Sequence, residues 1–215
     1  MEHAPIKLIV GLGNPGASHR LDRHNVGYWF VDALVQRVGG ATFRAEHKFQ
    51  GEVCRVDMEG HELRLLKPTT FMNGSGISVQ AMSSYLHIRP EQILVVHDDL
   101  DLPVGTVRIK RGGGAGGHNG LRDVITHLGK EFFRLRVGIG HPGQSEDVID
   151  HVLERANRDD EAKILEALGD ALDVLPILLG HGDQKAMHKL HSRGVVPRPH
   201  RKQRGPAEDD SEPEA

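Results

Sequence analysis

Read from the amino terminus, apolar positions fall into short runs and helical repeats that alternate along most of the chain. Residues 6 to 10 form a first apolar run with the length of a buried strand. Val26, Phe30, Ala33, Leu34 and Val38 then recur at helical spacing behind a capping Asn25, which puts His24 just outside a helix N-terminus. Two alternating segments, 51 to 58 and 61 to 67, flank Glu59-Gly60 and predict a hairpin, and helical period returns from Asn73 to His87 through Ile77, Ala81, Tyr85 and Leu86. Ile93 to Val96 is continuously apolar, as in a strand covered on both faces, and runs straight into His97, Asp98, Asp99 and Asp101. In open α/β sheets, ligands bind beyond the carboxyl ends of such strands.

The second half repeats the pattern. "GTVRIKR" alternates like a strand and passes into a glycine run, and Asn119 or Gly120 opens a helix through Leu121, Val124, Ile125 and Leu128. "RLRVGIG" predicts another strand, and a long helix spans about Asp159 to His181. From Val195 onward, proline, a basic cluster and "AEDDSEPEA" cannot bury a core, which predicts a disordered charged tail over 195–215 behind one domain over 1–194. A length of 215 residues suits one such domain.

Composition narrows the function classes. The formal net charge of −3, with 15 histidines neutral, declares no global nucleic-acid field, so any basic footprint is local. A single cysteine, Cys54, excludes an intramolecular disulfide and fits a reducing compartment. No run approaches the ~18 apolar residues of a membrane span, and no signal peptide opens the chain, so a soluble cytoplasmic protein without membrane contact is expected.

"KLIVGLGNPG" carries Gly11, Gly13 and Gly16 in dinucleotide-loop spacing, but the polar turn after it and the position of the acidic candidate Asp32 within the next helix break that context. There is no serine elbow, no paired cysteine, no zinc-protease motif, and no Lys-Ser or Lys-Thr after the later glycines. A histidine and an aspartate that can pair, set among carboxamides, remain. A neutral imidazole takes a proton from water, an aspartate holds its tautomer, and amides orient a carbonyl. Bland readings stand beside this one. Asn14 and Asn73 sit in turn-forming dipeptides, His24 suits an exposed cap neighbour, Asp98 and Asp99 suit a solvated turn, and His97, His118 or His141 show no ligand spacing for a metal.

"GLGNPG", "RHNVG", "KPTTFMN", "HDDLDLPVG", "GGHNGL" and "RLRVGIGHP", in this order, resemble the bacterial-type peptidyl-tRNA hydrolases over about residues 6 to 192. The resemblance implies a single α/β domain with a twisted, mixed, mostly parallel sheet between helices, and hydrolysis of the ester joining peptide to tRNA. It implies that His24 is the general base, that Asp98 orients it, and that Asn14, Asn73 and Asn119 position peptide and water. Met72 and His118 fall on peptide-groove positions, and Lys110 and Arg136 on positions that hold tRNA phosphate. It further implies a monomer acting on peptidyl-tRNA, with no metal, no organic cofactor and no stable protein partner. His19 stands where many relatives carry an aromatic residue, and "QSED" after "GHPG" lacks the basic residues some relatives have. A non-catalytic RNA-binding relative and a nucleotide-dependent oxidoreductase are the alternative readings.

Overall fold

The computed structural model describes residues 5–144 and 147–193; the expected tail over 195–215 lies outside the described residues. β1 (Leu8–Gly11) occupies the middle of the sheet, parallel to β4 (His61–Pro68) on one side and β5 (Ile93–Asp99) on the other. β5 in turn pairs in parallel with β7 (Phe133–Gly138). Antiparallel strands extend both flanks: β3 (Gly51–Met58) and β2 (Arg44–Glu46) beyond β4, and β6 (Val107–Arg111) beyond β7. The sheet order among the described residues is therefore β2-β3-β4-β1-β5-β7-β6.

Side-chain alternation explains why the central strands are apolar throughout. Ile9, Leu94 and Val96 face one side, where they meet Phe30 and Leu34 of α1 (Val26–Val38) and Leu168, Leu172 and Leu175 of α5 (Arg158–His181). Leu8, Val10, Ile93 and Val95 face the other, against Val79 and Met82 of α2 (Ser75–Tyr85) and Leu121 and Val124 of α3 (Asn119–Leu128). Each of these buried side chains contributes about 1.5–3 kcal/mol relative to exposure.

The expected hairpin, the first and third helices, and the strands at 93 and 107 form where the pattern placed them. The second helix is shorter than the periodicity indicates. Its first turn, Met72–Gly74, is a 3-10 turn, and α2 begins only at Ser75. Three elements were not announced by the pattern: β2 has three residues, none buried; α4 (Val148–Leu153) is short, and its apolar residues stay partly or fully exposed; and α6 (Asp183–Arg193) buries only Ala186 and Leu190, among the described side chains, against an otherwise polar sequence. No described helix is long and apolar enough to cross a membrane.

The opening glycines serve contact more than turning. Of the three, only Gly16 has positive φ, +105°. A Cβ on Gly11 would sit 2.2 Å from the Gly27 carbonyl oxygen, and one on Gly13 would sit 2.7 Å from the Tyr28 ring. Gly27 reciprocates, since its Cβ would meet the Leu12 backbone at 2.4 Å. These glycines let α1 cross the end of β1 at backbone contact, and the crossing fixes the segment that carries His24.

Candidate active site

The parallel strands deliver their carboxyl ends to one edge of the sheet, and the chemistry-bearing residues collect there. Asn14 lies in the loop after β1, Met72 and Asn73 in the turn after β4, Asp98 at the end of β5, and His118 and Asn119 at the start of α3. His24 arrives from a 3-10 turn, Arg23–Asn25, that leads into α1.

The Nδ1 of His24 lies 2.9 Å from both Asp98 carboxylate oxygens, and the Nε2 of His118 lies 3.0 Å from Oδ1 of the same group. Their neighbours fix the tautomers. The Nδ1 of His118 accepts from the Leu121 N–H at 3.2 Å, so its proton is on Nε2, where it donates to Asp98. The Nδ1–H of His24 also donates to the carboxylate, which leaves its Nε2 an unprotonated lone pair in this tautomer. Behind them the Nδ1–H of His97 donates to the Asp98 backbone carbonyl at 2.6 Å, and its Nε2 is buried without a partner.

Burial pulls the His24 imidazole down, but the Asp98 charge and hydrogen bond, helped by Asp22, outweigh it and hold its pKa above the usual 6.5. The carboxylate prevails over burial. Burial alone would raise the Asp98 carboxyl, yet the facing imidazoles of His24 and His118 and the bonds they donate keep it well below the usual carboxylate range. His97 goes the other way: burial first, then the His118 charge, push it far down, so it is neutral.

Asn25, expected as a helix cap, makes no side-chain cap. Its amide clasps the Asn14 backbone instead, accepting from Asn14 N at 2.8 Å and donating to Asn14 O at 2.9 Å. The Oδ1 of Asn14 then accepts from the Met72 N–H at 2.9 Å. Asn14 is 7 % exposed and bridges two loops. Met72 is buried, and its Sδ would touch a Cβ on Gly120, so this residue ties the Asn14 loop to the start of α3. Asn73 is exposed, and Asn119 is exposed with its Oδ1 accepting from Arg122.

Beside the histidines opens a cavity of about 450 Å³, with His24, His97, Asp98, His118 and Asn119 on one wall and Gly114–Gly117 on another. Val148, Ile149 and Val152 of α4 close a third side, and Arg23, whose guanidinium donates to the carbonyls of His151 and Glu154, ties that helix to the His24 turn. Asn14, Met72 and Asn73 flank this cavity without lining it. Lys110, Arg134 and Arg136 supply its positive side. They come from alternate positions of β6 and β7, whose other face packs Val107, Ile109, Leu135 and Val137 into the core. Arg136 is engaged by Asp99 at 2.6 Å, Nε to Oδ2. Arg111, of opposite parity to Lys110, lies over the Phe133 ring and belongs to the other face.

His24, Asp98 and His118 are the one trio among the described residues whose donor atoms are close enough to hold a metal ion. The Leu121 cap works against it, because the Nε2 that a metal needs is the nitrogen that carries the His118 proton.

Nothing in the pattern of residues signals Asn25 as a clasp, His97 as the buried support of Asp98, or the α4 wall. Arg134 was visible only as the partner of Arg136 in "RLR".

Comparison with known proteins bears on the whole chain. The family model described as peptidyl-tRNA hydrolase matches residues 8–198. The chain is 49 % identical over 187 residues to a peptidyl-tRNA hydrolase of Halorhodospira halophila, covering 86 % of this chain and 96 % of that protein. It is 52 % identical over 188 residues to one of Xanthomonas campestris, covering 87 % and 97 %. A crystal structure of peptidyl-tRNA hydrolase from Acinetobacter baumannii superposes with a TM-score of 0.84 at 46 % identity, over 86 % of this chain and 94 % of that one.

Proposed function

Since this chain belongs to the peptidyl-tRNA hydrolase family and is a hydrolase, we propose that it cleaves the ester between a peptide and the 3′ ribose of tRNA by a water that His24 activates, with no covalent intermediate. The observation that carries this reading is the His24–Asp98 bond, which places the proton on Nδ1 and leaves Nε2 as the acceptor. Nε2 takes a proton from water, and the resulting hydroxide attacks the ester carbonyl. The imidazolium formed is held by Asp98 and returns the proton to the ribose oxygen as the C–O bond breaks. The products are a free peptide carboxylate and a tRNA with its 3′ end restored.

The carboxamides divide the remaining work. Asn14, oriented by Asn25 and Met72, presents Nδ2 to a peptide carbonyl, and Asn73 and Asn119 read amide groups from the two rims. His118 acts through Asp98, to which it donates, and Met72 through the packing that joins the rims. Lys110 and Arg136 take a phosphate of the tRNA, Arg136 sharing itself with Asp99. The scheme uses no metal and no organic cofactor. It suits a cytoplasmic monomer that rescues tRNA from peptidyl-tRNA released by stalled ribosomes.

The test compares one tRNA charged with the same amino acid, its nitrogen acetylated or free. Each amide partner missing from the free amine costs about 1–3 kcal/mol, so two give kcat/KM lower by about 10²-fold or more. Equal values for the two substrates contradict readout by these asparagines. No release from the acetylated one contradicts the activity.

A further inference from the structure

Arg134 is the buried charged side chain of the cavity that the reaction scheme does not use. It is 3 % exposed, and no carboxylate among the described residues pairs with it. Its position in the sheet aggravates the cost: in the antiparallel β6–β7 ladder it stands directly opposite Lys110, like charge against like. Its guanidinium lies over the Phe132 ring, 4.8 Å from the centroid, and its two terminal nitrogens donate to the carbonyls of Gly113 and Gly114. Its Nε is buried without a partner.

What Arg134 holds is a segment with little else to hold it. Gly112, Gly113, Gly116 and Gly117 all have positive φ, from +56° to +103°, a region glycine enters freely and leaves as freely. The backbone bonds recorded at its two ends are Gly112 N to Phe132 O and His118 N to Ala115 O. The two carbonyls between them point to Arg134. Gly113 also borders Lys110, since a Cβ there would come within 3.1 Å of the Lys110 Nζ. The backbone that Arg134 pins is therefore the surface against which the Lys110 ammonium rests.

We propose that Arg134 is a positioning residue: by fixing the Gly113 and Gly114 carbonyls it shapes the glycine run and seats Lys110 for the phosphate, without touching phosphate itself. This rests on the reading of Lys110 as a phosphate contact. A buried, aromatic-stacked guanidinium suits the task, because its planar fork spans two carbonyls at once and an ammonium cannot.

The experiment measures kcat, KM and the salt dependence of tRNA binding for Arg134→Met and Arg134→Lys, with Lys110→Ala alongside. Both Arg134 variants are expected to raise KM for N-acetyl-aminoacyl-tRNA about tenfold with kcat within about twofold, because His118, which joins the run to Asp98, is held in place by the Leu121 N–H. Amide exchange should quicken over residues 113–118 and not in β5. Lys110→Ala should lower the log–log salt slope by about one, and adding Arg134→Met to Lys110→Ala should lower it no further. A KM unchanged in Arg134→Lys overturns the proposal. So does a slope that falls by about a further one when Arg134→Met is added to Lys110→Ala, which would make Arg134 a direct phosphate contact. If Arg134→Met does not fold, Arg134→Lys decides by KM and exchange alone. An unchanged slope in Lys110→Ala would remove the phosphate reading separately, and a KM and exchange response in the Arg134 variants would still assign Arg134 to the glycine run.

Discussion

Replacing Asp98 by asparagine should harm the reaction more than replacing it by alanine. The carboxylate accepts from two imidazoles at once, His24 at 2.9 Å and His118 at 3.0 Å. An asparagine offers one acceptor and one donor. His118 cannot yield, because its Nδ1 is committed to the Leu121 N–H and its proton must stay on Nε2. The asparagine oxygen therefore faces His118, and its NH2 faces the Nδ1 of His24, which must become the acceptor. That moves the His24 proton to Nε2 and removes the lone pair that takes the proton from water. A fixed wrong tautomer costs about 10⁴-fold in kcat in the serine-protease triad, and a loss of about 10³–10⁴-fold is expected here. Alanine leaves His24 free to sample both tautomers and should cost about 10²-fold. The assay is single-turnover release from N-acetyl-aminoacyl-tRNA for both variants, with circular dichroism to confirm folding. Asp98→Asn within tenfold of the wild type, or more active than Asp98→Ala, would refute the tautomer argument. Were His118 free to change tautomer, the asparagine could serve both rings and a smaller loss would be expected. The His118–Leu121 cap is what changes the expectation.

The neutral form of His24 is the base and its pKa is raised, so kcat/KM should climb with pH through a value above 6.5, and in Asp98→Ala that limb should move down; an acid limb below 6.5 in the wild type contradicts the pairing. The stability that the pair contributes follows the same directions. The His24 part is complete below 6.5 and lost as pH rises through its raised pKa, and the Asp98 part is complete above 3.8 and lost as pH falls through its depressed one, which urea titrations of wild type and His24→Ala across pH should show. Lys110→Ala should weaken tRNA binding more than Arg136→Ala, because Asp99 already offsets the Arg136 charge; filter binding at several salt concentrations that ranks them the other way contradicts this. Gly27→Ala should destabilise by about 1–3 kcal/mol or more, since its Cβ would meet the Leu12 backbone at 2.4 Å; an unchanged melting temperature would show that the α1 crossing is not tight.

The strands and the larger helices were legible because their burial is regular. β1 and β5 are apolar on both faces, and α1 repeats its apolar residues at helical spacing, so burial and pattern coincide. β2, α4 and α6 were not legible, because contacts made elsewhere in the chain hold them and few of their own side chains are buried. α6, for instance, covers the edge of β6, where the Ile109 N–H donates to the Nε2 of His191. In the site, the meeting of His24 and Asp98 follows from the family motifs, and their spacing of 74 residues in the chain gives no local clue. The tautomers, the Asn25 clasp on Asn14 and the grip of Arg134 on the glycine run depend on where side chains from separate loops converge, and no periodicity encodes that. The glycines of the first loop show the limit most clearly, since their spacing says nothing of the clearance they give α1.

The central claim is that His24 is the base, and single-turnover hydrolysis of N-acetyl-aminoacyl-tRNA by His24→Ala, with binding measured in parallel and imidazole added back, tests it most directly. The account predicts a rate lower by about 10²-fold or more, an affinity for the substrate close to that of the wild type, and partial recovery with free imidazole. A folded His24→Ala protein that hydrolyses the substrate at a near-normal rate would contradict it.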